Sequence, residues 1–358
     1  MKEHIAIIGA GNGGQAFAGY LSLAGERVKI FDVVPATVNK LNEVGGVLIE
    51  GNSKYKGFGK IEKATDNMRE AIEGARLIMI VLPSLYHADM ARQMAAYLKD
   101  GQVIVLNPHA SMGPVEFRKV LNECGVTADV TIGCTSTLLF ACRAVEIGHV
   151  VVAGQKRHLT MAAYPSSRNP ILAEIFKNLI PEFEVVDDVI RVSLDNINAL
   201  VHPAPTILNT GRIESHTPFE YYIDCTPAQG RYVDALDKER MALAKAYGLE
   251  KVKPLVEEYK VMYRTHGNNM YEILSQNEDL HGIKGQKSLE TRYLMEDVPC
   301  SLVALQTLGR IAAVPTPCID AMIIVGRTLV PGMIEGRTVK NLGLEGISKE
   351  EFIKMCRQ

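Results

Sequence analysis

Gly9-Ala-Gly-Asn12-Gly-Gly14 is a G-x-G-x-x-G hexad that follows the apolar run Ile5 to Ile8 and leads into a stretch with helical spacing. In that setting the spacing suits one chemistry, the cradling of a dinucleotide pyrophosphate. Gly9 permits the tight turn, Gly11 lets a phosphate approach the backbone, and Gly14 lets helix and strand pack closely. Asn12 opens the helix, whose N-terminus favours negative charge. Asp32 ends the next apolar run, Val28 to Phe31, at the separation where an acid bonds the ribose hydroxyls of NAD. Val33 and Val34 follow it, not an arginine, and Asp32 would repel a 2'-phosphate. NAD(H) is therefore favoured, while Lys29 and Lys40 leave NADP(H) open. Pro83-Ser84 and Asn107-Pro-His109 lie at the ends of two further strand-like runs, where ligands of open α/β sheets bind. Pro83 and Ser84 are assigned to the cofactor site. His109 reads at least as readily as a polar loop residue as a catalytic one.

The second half carries the groups for proton transfer. Asp195-Asn-Ile-Asn198-Ala-Leu-Val-His202-Pro-Ala-Pro205 brings a histidine on a helical pattern into two prolines. Proline lacks the amide proton, so the carbonyls of Ala199 and Val201 lose their usual partners and a kink is expected at His202. Asn198 lies four residues earlier, on the same helical face, and can reach the same ligand. The plainer reading is a histidine that fills the bend and bonds a freed carbonyl. Arg292-Tyr-Leu-Met-Glu296-Asp297-Val-Pro299 supplies the charged candidates. Here the plainer reading is an i,i+4 surface pair of Arg292 and Glu296, with Asp297 capping a following helix. A reductase acting on a carboxylate substrate would want a guanidinium to grip the carboxylate, and an imidazole steadied by an aspartate to move a proton.

The elements that must position these groups follow from pattern and length. A chain of 358 residues exceeds one ordinary core, so two domains are expected. The first alternates short apolar runs with amphipathic segments, as parallel βαβ units do. Strands are predicted at Ile5 to Ile8, Val28 to Phe31, Val47 to Glu50, Leu77 to Leu82, Val103 to Leu106 and Val130 to Gly133, all in one α/β, Rossmann-type doubly wound sheet. Past Val189 strand runs almost vanish. Val252, Leu255, Val256, Tyr259 and Met262 fall at helical spacing, as do Leu302, Leu305, Leu308, Ile311 and Ala312, so the second domain reads as all-α. The division is placed at 1–189 and 190–358. Ser348 and Glu351 predict a capping box for the last helix.

Composition narrows the function classes. Hydrophobic residues make up 47% and charged residues 22%, as in folded soluble chains. Lys+Arg 39 against Asp+Glu 41 leaves a net charge of -2, with no basic stripe for nucleic acid. No apolar stretch approaches a membrane span, and no export signal is evident, so no membrane partner and a cytoplasmic location are expected. Seven scattered cysteines form no C-x-x-C pair and no zinc-like spacing with histidine, so reduced thiols and no metal site are expected. A homodimer through an apolar helical face is open, with no residue marking one.

At this point the chain resembles the opine dehydrogenases of the octopine and nopaline type, within the larger group that includes glycerol-3-phosphate and 6-phosphogluconate dehydrogenases. The resemblance rests on Gly9 to Gly14, on Thr137-Leu-Leu-Phe-Ala-Cys-Arg143, and on Val201-His-Pro203 with Leu208-Asn209 and Gly211-Arg-Ile-Glu214. It rests also on Thr226-Pro227 through Asp237-Lys-Glu-Arg240 and on Arg292-Tyr-Leu-x-Glu-Asp-Val-Pro299, the two blocks specific to the family. It implies reductive condensation of an α-keto acid with the amino group of an amino acid, at the expense of NAD(P)H. It places His202 and Asp297 on the catalytic pair and Arg292 on the carboxylate-binding arginine; Asn198, by its helical spacing, and Arg143, as a second anion site, are taken as further substrate contacts. For Arg143 an ordinary ion pair is the plainer alternative. Two stretches depart from the family pattern: Asn107-Pro-His-Ala-Ser-Met112 replaces a glycine-rich run, and Cys300-Ser-Leu-Val-Ala304 replaces a glycine and proline pattern. The competing readings are a related dehydrogenase that reduces a 2-keto acid or ketone phosphate without an amine, and a non-catalytic NAD(H)-binding sensor. The first typically uses a lysine in the helical domain, and none occurs from Leu194 to Leu208.

Overall fold

A computed structural model describes residues 3–263 and 265–358. They form two compact units. One extends to Val192, without Ala110–Met112, and includes Cys356–Gln358; the other comprises Ala110–Met112 and Ser193–Met355.

The strands of the first unit are β1 (His4–Ile8), β2 (Val28–Phe31), β3 (Gly46–Gly51), β4 (Gly57–Lys60), β5 (Lys63–Thr65) and β6 (Ala75–Ile80). They continue as β7 (Val103–Leu106), β8 (Thr131–Thr135), β9 (Phe140–Glu146), β10 (His149–Gln155), β11 (Leu159–Tyr164) and β12 (Phe183–Val185). Eight of them build one sheet in the order β12-β11-β8-β7-β6-β1-β2-β5. All neighbours are parallel except β11 against β8. β1, β6 and β7 are apolar along almost their whole length and buried, as strands covered on both faces must be. The helices of this unit are α1 (Asn12–Leu23), α2 (Pro35–Val44), α3 (Met68–Ile72), α4 (His87–Met94), α5 (Gly113–Glu123) and α6 (Asn169–Leu179). α7 (Val189–Leu194) contains the division between the units.

One expectation is corrected here. Val47 to Glu50 is a strand, but it lies outside the doubly wound sheet, in a second sheet of order β4-β3-β10-β9. That sheet covers α1. A Cβ on Gly19 would sit 2.8 Å from Ile49, and one on Gly59 would sit 2.3 Å from the Gly19 carbonyl, so helix and sheet meet at glycine distance. Phe17 and Tyr20 of α1 pack on Phe140 of β9 with ring centroids 4.9 and 5.3 Å apart. An amphipathic helix apolar on two sides needs this second layer. The pattern does not predict β9 to β11, although the run Val150-Val-Val152 signals β10.

The second unit is helical, with an isolated bridge between Glu220 and Lys284 among its described residues. Its helices are α8 (Asn198–Val201), α9 (Pro203–Leu208), α10 (Thr210–Glu214), α11 (Pro227–Ala246), α12 (Leu255–Tyr263) and α13 (Met270–Ser275). α14 (Arg292–Met295), α15 (Val303–Ala312), α16 (Pro317–Leu329) and α17 (Lys349–Arg357) complete it, except that the last two residues of α17 count with the first unit. α11 is the axis: Thr226 and Gln229 cap it reciprocally and Pro227 starts it. Asp237 and Arg240, in one of the blocks that carry the resemblance, are structural. Arg240 is 1% exposed, donates from Nε to Asp237 at 2.8 Å, and ties the carbonyls of Leu194 and Lys253 at 2.8 and 2.7 Å. Asp237 accepts the Leu255 amide at 2.8 Å. A buried charge satisfied this fully fixes the segment that leads into α8. The capping box of α17 forms as predicted: Glu351 N–H donates to Ser348 Oγ at 3.2 Å and Ser348 N–H to Glu351 Oε2 at 2.9 Å.

Candidate active site

In the first unit the glycine hexad joins β1 to α1. Gly9 has φ 103°, and a Cβ on it would lie 2.5 Å from Leu82. A Cβ on Gly14 would lie 1.7 Å from the Gly9 carbonyl oxygen, so only glycine closes this turn. Gly11 differs: its Cβ would meet nothing within 4 Å. The loop backbone there faces open space at the N-terminus of α1, which is the room a pyrophosphate needs. Asp32 accepts the Ala10 amide at 2.7 Å and the Val34 amide at 2.9 Å, so it also ties the hexad to the end of β2. Its lone pairs exceed these two bonds, leaving acceptor capacity for ribose hydroxyls. Asn12 is the first residue of α1, and its side chain faces β9, where Oδ1 accepts the Ala144 amide at 3.0 Å. Any contribution of Asn12 to an anion therefore comes from its backbone. The residues present fit a dinucleotide.

Val81 N–H bonds the Ile8 carbonyl at 2.8 Å, which brings the chain into Pro83 and Ser84 beside Gly9. Ser84 opens a short 3₁₀ turn and is buried. His109 is not a polar loop residue in solvent, since it is 0% exposed. Next to it the peptide Asn107-Pro108 is cis, and Asn107 Oδ1 accepts Thr135 Oγ1 at 3.0 Å. Arg143 stands exposed on β9, opposite Val151 of β10.

In the second unit the helix breaks at His202 as expected, with α8 ending before it and Pro203 starting α9. Hydroxyls gather at the break. Tyr221 Oη lies 2.5 Å from the His202 carbonyl and 3.3 Å from that of Val201, and Thr206 Oγ1 donates to His202 O at 2.8 Å. The imidazole is thus not spent on a carbonyl through Nδ1: that nitrogen lies 2.8 Å from Asp297 Oδ2. His202 and Asp297 are 5% and 6% exposed. A carboxylate oxygen is an acceptor, so this contact suits an imidazole that donates from Nδ1 and exchanges its proton at Nε2. The imidazole stacks on Tyr293 at 3.9 Å between centroids and 6° between planes. Tyr221 meets the edge of Tyr293 at 5.1 Å, and burial holds both phenols protonated beyond their ordinary range.

The capping and surface-pair readings do not hold. Asp297 makes no side-chain cap bond to the turn that follows, and Glu296 is buried while Arg292 is exposed. Arg292 Cζ lies 5.9 Å from the Tyr293 centroid, so the guanidinium and the imidazole meet around one phenol ring. Asn198 begins α8, half-buried, and its carbonyl accepts the His202 amide at 3.0 Å, one turn apart on a shared face. Residue types alone do not point to Tyr293, Tyr221 or Thr206. A local signal exists for Tyr293, which lies inside the Arg292 block. No cluster of three or more histidine, cysteine or acidic side chains able to hold a metal occurs among the described residues.

Residues 185–330 match the NAD/NADP octopine/nopaline dehydrogenase α-helical domain, and residues 4–107 match the N-terminal domain of NAD-dependent glycerol-3-phosphate dehydrogenase. The chain is 39% identical over 346 residues to an opine dehydrogenase of Arthrobacter sp. (strain 1C), covering 96% of each. It is 23% identical to an octopine dehydrogenase of Mizuhopecten yessoensis, covering 95% of this chain and 94% of that one. Among solved structures, octopine dehydrogenase with NADH and L-arginine matches at TM-score 0.82 and 20% identity, covering 100% of this chain and 99% of the other. Yersinopine dehydrogenase with NADP+ matches at TM-score 0.70 and 14% identity, over 98% and 95% of the chains. The glycine cradle, the helical unit built on the Asp237-Arg240 pair and the full-length similarity agree: this chain belongs to the opine dehydrogenase family, NAD(P)-dependent oxidoreductases acting on CH–NH donors.

Proposed function

We propose that His202, held by Asp297, is the acid/base group with which this enzyme condenses an α-keto acid with the amino group of an amino acid, and that Arg292 binds the keto-acid carboxylate. The observation that carries the assignment is the buried 2.8 Å contact of His202 Nδ1 with Asp297 Oδ2. The amine adds to the keto carbon to give a carbinolamine. His202 Nε2 donates a proton to the departing hydroxyl, which leaves as water, and the imine forms in its protonated, iminium state. In reverse the same nitrogen takes the proton of the attacking water. Asp297 holds the tautomer and offsets the charge of the imidazolium. Arg292 orients the carboxylate through its two-pronged donor edge, so that one face of the imine is presented for reduction. The nicotinamide coenzyme, when bound by Gly9, Gly11, Gly14, Asp32 and the backbone of Asn12, with Pro83 and Ser84 alongside, supplies the hydride that turns the imine into a secondary amine.

NAD(H) is favoured over NADP(H) through Asp32. Asn198, one turn before His202, and the exposed Arg143 are assigned as further substrate contacts. On this reading residues 1–189 carry the coenzyme and residues 190–358 the acid/base pair and the carboxylate site. A cytoplasmic location goes with this reading; no described helix is long and apolar enough to cross a membrane. A homodimer through the helical unit is supported by Ile324 and Val325 of α16, 65% and 41% exposed.

The test is NADH oxidation with a panel of α-keto acids, each with and without amino acids, for wild type and His202→Ala. Oxidation should require both substrates. The variant should lose roughly 10²- to 10⁴-fold in turnover while still binding NADH. Equal rates with the keto acid alone would point to a simple keto-acid reductase, and near-normal turnover of folded His202→Ala would return His202 to a packing role.

A further inference from the structure

The hydrogen-bond chain that begins at His202 does not end at Asp297. Asp297 Oδ1, the oxygen turned away from the imidazole, lies 3.4 Å from Ser301 Oγ. Ser301 sits four residues on, inside the π-type turn Val298–Leu302, and is 0% exposed. Asn196 Nδ2 in turn lies 3.1 Å from Ser301 Oγ and 3.4 Å from Ser111 Oγ. An amide nitrogen only donates, and it has two protons, so both go to serine oxygens. Ser301 Oγ therefore accepts from Asn196, and its one proton is left for Asp297. Ser111 Oγ likewise accepts from Asn196 and donates to the Ser193 carbonyl at 3.0 Å. Donation runs in one direction, from Asn196 through Ser301 to Asp297, and it meets the proton of His202 coming from the other side.

The far end of this chain is anchored. Ser111 stands between Ala110 and Met112, whose φ of 58° and 60° lie in the left-handed region that costs a side-chain-bearing residue energy. Its backbone is held by Arg337 Nη1 donating to Ser111 O at 2.6 Å and by Ser111 N–H donating to Cys300 O at 3.2 Å. The Met112 amide donates to Ser193 Oγ at 2.9 Å.

We propose that Ser301 and Asn196 are positioning residues for the His202–Asp297 pair. Ser301 pins Asp297 by donating to Oδ1, so that Oδ2 alone faces the imidazole, and Asn196 sets the direction of that hydroxyl. Without the donor the carboxylate turns about its broad χ2 well and carries a more concentrated charge. The first effect slows proton transfer. The second raises the proton affinity of the imidazole beside it.

This rests on His202 and Asp297 being the acid/base pair, and the experiment separates the two claims. Ser301→Ala, Ser301→Cys, Asn196→Ala and His202→Ala are assayed with NADH, keto acid and amino acid from pH 5 to pH 10. Ser301→Ala should lower kcat about tenfold or more, as loss of a bond to a charged group does, and shift the acid/base inflection of the kcat profile upward. Cysteine, nearly the same shape but a weak donor, should fall between serine and alanine in both readouts. Asn196→Ala should shift the inflection the same way by less. KM values should stay within about twofold, since no group that touches substrate is removed. If His202→Ala loses turnover while the Ser301 and Asn196 variants keep the wild-type profile, this inference is wrong and the acid/base assignment stands. It is equally wrong if those variants lose only folded protein, with an unmoved inflection. Near-normal turnover of His202→Ala would overturn the assignment beneath it.

Discussion

In the proposed mechanism Asp32 and Arg292 stand at the two ends of the reaction, one for the coenzyme and one for the keto acid. Asp32 holds the Ala10 and Val34 amides and keeps lone pairs for a ribose, so its removal has two consequences. Asp32→Ala should raise the KM for NADH by about 10- to 100-fold, the worth of bonds to a charged acceptor, and narrow the preference over NADPH. Steady-state kinetics with both coenzymes measures this; a wild-type enzyme preferring NADPH by a wide margin would defeat the argument. In the proposed mechanism Arg292 is the counterpart for the keto acid. Arg292→Lys keeps the charge and loses the planar fork, so the keto-acid KM should rise by about tenfold or more while that for NADH stays put. A surface arginine would leave both constants unchanged. Asp32 is singled out by its type and its distance from the glycine hexad, whereas for Arg292 spacing leaves a surface pair equally open and the family resemblance carries the assignment. Tyr293 is not: an aromatic inside a motif signals packing as readily as a stack under an imidazole, and only the 3.9 Å ring contact decides.

At the level of elements, the junction of β1 and α1 offers two glycines with opposite demands. Gly14→Ala would drive a methyl to 1.7 Å from the Gly9 carbonyl, so strand and helix must separate. Gly11→Ala meets nothing within 4 Å. Gly14→Ala should therefore lower Tm sharply, while Gly11→Ala should keep Tm and weaken NADH binding, since its methyl occupies the space left for the pyrophosphate. Thermal melts beside an NADH titration separate the two; equal Tm losses would refute the distinction. The same scale explains what pattern reading can reach. β1, β6 and β7 announce themselves as unbroken apolar runs, because both their faces are covered. β4 is Gly-Phe-Gly-Lys, with Phe58 49% exposed, so it carries no strand signal, whereas β3 (Gly46–Gly51) is legible as a strand but not in its sheet, because its partner β10 (His149–Gln155) lies far along the chain. In the second unit α8, α9 and α14 span 4, 6 and 4 residues, too short for a helical period to register. The break at His202 is nevertheless legible, because proline chemistry acts within one turn.

For the molecule as a whole the buried tyrosines predict a response of the fold to alkali. The chain has 13 of them and no tryptophan. Burial raises Tyr221, Tyr222 and Tyr259 of the helical unit well above their ordinary value, and in the first unit it pushes Tyr20 up to about 12 and Tyr164 also upward. In the unfolded chain these phenols ionise near about 10, so above that pH the unfolded state has lost protons that the native state keeps. A group with a raised native pKa contributes stability in full below its unfolded value and loses it as pH climbs toward the native one. Unfolding free energy from denaturant titrations should therefore be flat for these groups up to about pH 10 and fall beyond it, with a slope set by how many tyrosines titrate only on unfolding. Absorbance at about 295 nm, where tyrosinate absorbs, should show an exposed class ionising near about pH 10 and a second class appearing only as the near-ultraviolet dichroism collapses. Tyr221→Phe should weaken the slope and also remove the hydroxyl that serves the Val201 and His202 carbonyls at the helix break, so the variant should be less stable at neutral pH and lose less on going alkaline. Reversible ionisation of all the tyrosines near about pH 10, with the dichroism intact, would show that these rings are open to solvent and that the aromatic support under His202 is not the rigid wall the packing describes.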